Sequence, residues 1–356
     1  MKLPSLSWQF CALVCASALT SLVILKLLAY VTQEESPPPL VLKHWDSGPN
    51  PTAARRGSRL PSRRHKRRGI GFETLWRVDQ KPPECPGDLL VVILVTSSLW
   101  HTEQRDAIRN TWAQKPREVA AAAAAAAADY RWRVVFLVGQ PVESGVFPHI
   151  AQEQQDYGDI LLGNYEDCYR NLTLKVMHGL WWASEHCRPR FVLKTDDDCF
   201  VNTYYLPRYL TEFNQDSAGV YVGSVFHLGR RHVIRDQRSK WYVSKDDFRE
   251  QEYPPYASGI GYVLSLDVAR EMVEAARDVP PVPMEDAYVG VLAREVGVTV
   301  RDSGRFAKHN VNWRVCNYRY LMVIHHLDAG QLREAQQNRL KAQGRACNHT
   351  REITGW

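Results

Sequence analysis

None of the eight cysteines forms a C-x-x-C pair, and their scattered positions exclude a zinc knuckle or a small disulfide-framed domain. The chain has no G-x-x-x-x-G-K-[ST] loop, which argues against a P-loop phosphotransferase. It also has no G-x-G-x-x-G behind its first apolar strand, which argues against dinucleotide binding. Its histidines are not spaced as H-E-x-x-H, and no serine nucleophile elbow occurs. Aromatic residues are missing from the one dense basic cluster, Arg55, Arg56, Arg59, Arg63, Arg64, Lys66, Arg67 and Arg68. A nucleic-acid surface would interleave aromatics with such charges, so a solvated stem and no nucleic-acid partner are expected.

What is present begins with a run free of charge from Leu3 to Leu25, 23 residues. That suffices to cross a hydrocarbon core of about 30 Å at about 1.5 Å per residue. Trp8 and Tyr30 flank it as interfacial aromatics do. An uncleaved anchor is expected, with a cleaved signal peptide as the alternative. The expected layout is a cytoplasmic tail over 1–7, a transmembrane signal-anchor over 8–30 and a luminal stem over 31–84, rich in Pro, Gly and charge. A luminal catalytic domain would occupy 85–356. The sequons at Asn171 and Asn348 are candidate glycosylation sites in such a topology.

From residue 85 onward, strand and helix patterns alternate. LLVVILVTSS (89–98), WRVVFLVG (132–139), GDILLGNY (158–165) and FVLKTDDD (191–198) read as strands covered on both faces. HTEQRDAIRNTWAQ (101–114) and YRNLTLKVMHGLWWASEHC (169–187) read as helices. The alternation predicts an α/β fold with a mostly parallel central sheet, whose ligands bind beyond the carboxyl ends of the strands. The low-complexity alanine run over 120–128 carries no chemical information.

Asp196, Asp197 and Asp198 stand at such a strand end. Three like charges so close need a positive partner, whether a lysine, a substrate or a metal. On an extended backbone Asp196 and Asp198 point to one side and Asp197 to the other, so the outer pair is a candidate cation site, while an Asx turn is the plain structural alternative. Oxygen ligands favour Mg²⁺ or Mn²⁺, ions that commonly complete their shells with substrate phosphates. Arg105, Arg109 and Lys175 are candidates to offset a diphosphate, or else ordinary surface salt bridges. Glu285 and Asp286 open a helix-like segment. Tyr256, Gly259 and Gly261 lie in YPPYASGIGYVLS (253–265), a mixture of aromatics and glycines suited to a sugar pocket or to core packing.

These stretches together resemble the β1,3-galactosyltransferase family, which includes related β1,3-N-acetylglucosaminyltransferases. The matching segments are RDAIRNTW (105–112), VVFLVG (134–139), GDILLGNYEDCYRNLTLKV (158–176), FVLKTDDDCFVN (191–202), SKWYVSKDDF (239–248), YPPYASGIGYVLS (253–265) and EDAYVG (285–290). They occur in the family's order and cover most of residues 85–305. The resemblance implies an α/β, GT-A-like nucleotide-sugar-binding fold preceded by one N-terminal transmembrane helix, in a single-pass type II protein of the Golgi membrane. It implies inverting transfer of galactose from UDP-galactose to the 3-hydroxyl of an acceptor glycan on lipid or protein, with Mn²⁺ or alternatively Mg²⁺. Transfer from UDP-N-acetylglucosamine, and a non-catalytic glycan-binding or chaperone role, are the alternatives.

By the same resemblance Asp198 is the metal ligand, with Asp196 beside it and nearer the ribose, and Asp286 is the catalytic base. Asp196, Asp197, Arg105, Arg109 and Lys175 would serve the donor. Trp241, Tyr256, Gly259, Gly261 and Glu285 would line the acceptor or sugar pocket. Ala287 stands where the family's E-D-V motif carries Val. Homo- or hetero-oligomers with other glycosyltransferases are a further expectation.

Overall fold

The computed structural model describes residues 69–76, 81–114, 132–141, 148–213, 216–308, 315–344 and 347. A short helix α1 (Phe72–Leu75) precedes strand β1 (Val91–Thr96) and helix α2 (Thr102–Arg109). Then come β2 (Trp132–Gln140), α3 (Pro148–Tyr157), β3 (Ile160–Glu166), α4 (Leu172–Trp182) and β4 (Phe191–Asp196). The second half holds β5 (Phe200–Val201), α5 (Leu206–Phe213), β6 (Tyr221–Val225), β7 (Ala257–Ser265), α6 (Leu266–Ala275) and α7 (Glu285–Glu295). It closes with β8 (Arg301–Asp302), β9 (Phe306–Ala307), β10 (Val323–Ile324) and α8 (Ala329–Ala342).

Seven strands form one sheet in the order β3-β2-β1-β4-β7-β6-β8. The apolar strands are continuous because both faces are covered. Val91, Ile93 and Val95 of β1 face a core with Ile108 of α2 and Leu332 of α8. Val92 and Leu94 face the opposite core with Val176 of α4, Met272 of α6 and Leu292 of α7. Gly69–Trp76, inside the segment expected as stem, adds buried Ile70, Phe72 and Leu75 to that second core. Disulfides join Cys85 to Cys187 and Cys316 to Cys347.

The expected sheet is present, and one expectation is corrected. The sheet is GT-A-like and mostly parallel, with one strand reversed: β3, β2, β1 and β4 run parallel and β8 pairs parallel with β6, while β7 is antiparallel to both β4 and β6. The β6–β7 connection returns the chain directly beside the strand it left, without the helical crossover that parallel pairing needs. Among the described residues, however, no helix is long and apolar enough to cross a membrane. The longest of them, α8, has 14 residues, whereas a span needs about 20. The expected transmembrane helix, and with it the single-pass type II Golgi-membrane placement, is corrected on that finding. Residues 8–30 themselves lie outside the described residues, as do the alanine run and Asn348.

A small second sheet positions the site. β10 pairs antiparallel with β5, Ile324 opposite Phe200 and Val323 opposite Val201, and parallel with β9. Continuing the antiparallel register outward carries the residues after Ile324 alongside those before Phe200. His325 and His326 thereby meet the aspartate triplet.

Candidate active site

The triplet follows the carboxyl end of β4, where Thr96 of β1 lies opposite Asp196. The three carboxylates meet three different partners. Asp196 Oδ1 accepts from Lys194 Nζ at 2.8 Å and from the Thr96 hydroxyl. Asp197 is buried and accepts from His101 Nδ1 at 2.8 Å, a hydrogen bond that holds His101 above its ordinary pKa. Asp198 Oδ2 lies 3.2 Å from His325 Nε2 and 4.0 Å from His326 Nδ1. Burial works against the ionised Asp198, but the hydrogen bond from His325 and the charge of the two histidines hold its carboxyl below the usual range.

Asp198, His325 and His326 present ligand atoms all within 4.8 Å of one another. Asp196 is not part of this group, being held by Lys194 and Thr96. His325 Nδ1 donates to the Lys308 carbonyl at 3.1 Å, since a carbonyl only accepts. Nε2 is thereby aimed at Asp198, the arrangement that orients a metal-binding imidazole.

Beside the triplet lies a second acidic centre at the N-terminus of α7, where the helix dipole favours negative charge. Glu285 is buried; Tyr262 donates to its Oε1 at 2.6 Å, and Lys194 Nζ lies 3.2 Å from Oε2. Lys194 also donates to the Gly259 carbonyl at 2.6 Å. Burial opposes the charged lysine, yet Asp196 and Glu285 hold its ammonium well above the ordinary range. Two carboxylates, Asp196 and Glu285, share this one lysine. Burial, together with Asp286 and Asp196, pushes Glu285 up to about 7 against the pull of Lys194 and Tyr262. Asp286 is only half-buried. Its Oδ2 accepts from the Gly259 N–H at 3.1 Å and its Oδ1 from the Ala287 N–H at 2.8 Å. Burial raises its pKa while these two N–H groups and Lys194 oppose the rise.

Gly259 permits this crowding: a Cβ there would sit 3.2 Å from Glu285 Oε2 and 3.6 Å from Asp286 Oδ2. At Gly261 a Cβ would come within 3.3 Å of the Lys194 carbonyl. Tyr256 is buried against Phe226, ring centroids 4.9 Å apart. Trp241 is 50% exposed and Tyr169 45% exposed, with Lys240 Nζ 4.8 Å from the first ring and 5.7 Å from the second. Burial first, and then the charge of Asp286, raise the Tyr169 hydroxyl pKa.

The structure therefore brings together Asp196, Asp197, Asp198, Gly259, Gly261, Glu285 and Asp286. Other candidates are engaged with carboxylates elsewhere. Arg105 is fully buried and donates through Nε and Nη2 to Glu153, both at 2.7 Å. Arg109 binds Asp159 through two bonds of 2.8 Å. Lys175 donates to Asp167 Oδ1 at 2.7 Å and to the Ser97 carbonyl at 2.8 Å. Asn171 is half-buried, its amide donating to the Glu166 carbonyl at 3.0 Å.

Sequence reasoning missed His325 and His326, which lack any local ligand spacing; a histidine pair closing a short apolar strand was the available signal. It also passed over Lys194, a cation two residues before Asp196 on the same side of the strand.

A family model described as galactosyltransferase matches residues 103–303. Beta-1,3-galactosyltransferase 5 of Homo sapiens is 32% identical over 272 residues, covering 75% of this chain and 82% of that protein. Beta-1,3-galactosyltransferase 4 of Rattus norvegicus is 32% identical over 286 residues, with coverage of 71% and 74%. Beta-1,3-galactosyltransferase 1 of Mus musculus is 29% identical over 255 residues, again covering 71% and 74%. With the acidic centres of this site lying inside or beside the matched span, the chain belongs to the galactosyltransferase family, as a glycosyltransferase of the β1,3-galactosyltransferase type.

Proposed function

We propose that this protein transfers galactose from UDP-galactose to the 3-hydroxyl of an acceptor glycan, with inversion at the donor carbon, Asp286 acting as general base. The observation that carries the assignment is the contrast between the two adjacent carboxylates. Glu285 is buried, with its two oxygens committed to Tyr262 and Lys194. Asp286 is half-buried and oriented by two backbone N–H groups, which leave each oxygen a further lone pair.

A divalent ion would be held by Asp198 with His325 and His326. The imidazoles beside a carboxylate suit Mn²⁺ better than Mg²⁺, which prefers oxygen and water. When bound, the ion would supply a Lewis acid that neutralises charge on the departing diphosphate. Asp286 takes the proton of the acceptor hydroxyl, whose oxygen forms the new bond to the donor carbon. The bond to the diphosphate breaks with its electron pair remaining on the phosphate oxygen. A single displacement of this kind inverts the carbon and needs no covalent nucleophile. Lys194 and Glu285 position the base, while Trp241 and Tyr169 offer ring faces to the acceptor sugar.

Asp286→Asn keeps shape but removes the proton acceptor. It should lower kcat by roughly 10²- to 10⁴-fold while UDP-galactose affinity stays unchanged, and Glu285→Gln should be milder. The measurement is kcat at saturating donor and acceptor beside donor affinity by calorimetry. An inactive E285Q with a fully active D286N would show the base to be the other carboxylate.

A further inference from the structure

Lys308 follows β9 at the edge of the small sheet and is half-buried. Its carbonyl receives His325 Nδ1–H, so its backbone is tied to the candidate metal centre. Its ammonium sits 3.7 Å from the centre of the Phe226 ring, and Phe226 in turn packs on Tyr256. Asp302 and Asp286 are near enough to act on it electrostatically, yet among the described residues it joins no ion pair. The other buried cations around the site do: Arg105 with Glu153, Lys175 with Asp167, Lys194 with Asp196 and Glu285. The basic residues that the sequence offers for a diphosphate are thus already engaged, whereas Lys308 is not.

A cation drawn partly out of water needs a partner. The face of a phenyl ring attracts a cation through its quadrupole but carries no formal charge to neutralise it. Asp302 and Asp286 act on this ammonium only through space, so the partner it lacks among the described residues is supplied by an anion that enters with substrate.

We infer that Lys308 binds the diphosphate of the nucleotide-sugar donor, as a protein cation additional to any metal held by Asp198. The inference rests on the nucleotide-sugar reading of the site. A lysine ammonium serves a diphosphate as a compact point charge. Placed here, it holds the donor between the candidate metal centre and the base, and its charge faces the oxygen that gains an electron pair when the sugar leaves. Phe226, whose ring faces the ammonium, keeps the side chain from swinging into solvent.

The test is calorimetric titration of the full chain with UDP and with uridine, in Mn²⁺, for wild type, Lys308→Gln and Lys308→Arg. A charge-assisted hydrogen bond predicts that K308Q loses about 10- to 100-fold in UDP affinity. Uridine, which has no diphosphate, should bind K308Q and wild type alike, and K308R should recover most of the UDP affinity. The thermal midpoint of ligand-free K308Q should not fall, because no carboxylate is stranded by the change. Unaltered UDP affinity in K308Q, or an equal loss for UDP and uridine, overturns the role of Lys308. Wild-type protein that binds no UDP overturns the nucleotide-sugar reading itself, and the two failures are therefore distinguishable.

Discussion

At the scale of single residues, Glu285 is the most informative side chain. Its carboxyl is raised from 4.5 to about 7, by burial first and by its acidic neighbours second. Below pH 4.5 both folded and unfolded chains hold this proton, and Glu285 contributes nothing to the pH dependence of stability. Between about 4.5 and 7 the folded protein keeps a proton that the unfolded chain has lost, so stability falls as pH rises. Above pH 7 the whole penalty is present, up to about 3 kcal/mol at 1.36 kcal/mol per unit. Glu285→Gln still accepts from Tyr262 and leaves Lys194 paired with Asp196. Urea unfolding of E285Q should therefore give a flatter stability profile between pH 5 and 8 than wild type. Parallel profiles would mean that Glu285 does not titrate in this window.

At the scale of elements, the base depends on where α7 rests. Gly290, one turn into that helix, lies against the 255–256 segment: a Cβ there would meet Tyr256 Cβ at 2.5 Å and the Pro255 carbonyl at 3.0 Å. No flexible side-chain end is available to yield, so Gly290→Ala has to displace the helix or the Tyr256 segment. Overpacking of this kind costs roughly 1–3 kcal/mol, or about 2–4 °C per kcal/mol in a protein of this size. The same displacement moves Asp286 relative to Gly259, so kcat should fall together with the melting temperature. A G290A protein that melts lower but retains full kcat would show that the helix shifts without carrying the base along.

At the scale of the whole molecule, the candidate metal centre joins distant parts of the chain: Asp198 follows β4, and the histidines follow β10. A ligand that bridges them binds only the folded state and stabilises it by mass action, about 2.7 kcal/mol at a hundredfold excess over Kd. UDP with Mn²⁺ should raise the melting temperature of wild type, UDP with excess chelator should raise it much less, and Asp198→Ala should abolish the metal-dependent part. An identical UDP shift for wild type and D198A in Mn²⁺ would remove Asp198 from the metal site.

The strands and the two acidic centres are legible in one dimension. VVILVT and FVLKTD are continuous, β-branched runs too short for a buried helix, so they read as strands covered on both faces, and the aspartates then fall at a strand end, where ligands collect. The order of seven motifs was enough to point to the family. Strand direction was decided by the tertiary structure, because a buried run reads the same in either direction and only the β6–β7 return makes β7 antiparallel. It also decided which cation serves which carboxylate. Arg105, Arg109 and Lys175 look available in one dimension, but each can satisfy its burial only with Glu153, Asp159 or Asp167, whose approach depends on α3 and β3 packing beside β2. His325 and His326 stand 127 and 128 positions beyond Asp198 in the chain. Only the antiparallel pairing of β5 with β10 closes that separation, and no local spacing encodes such a pairing.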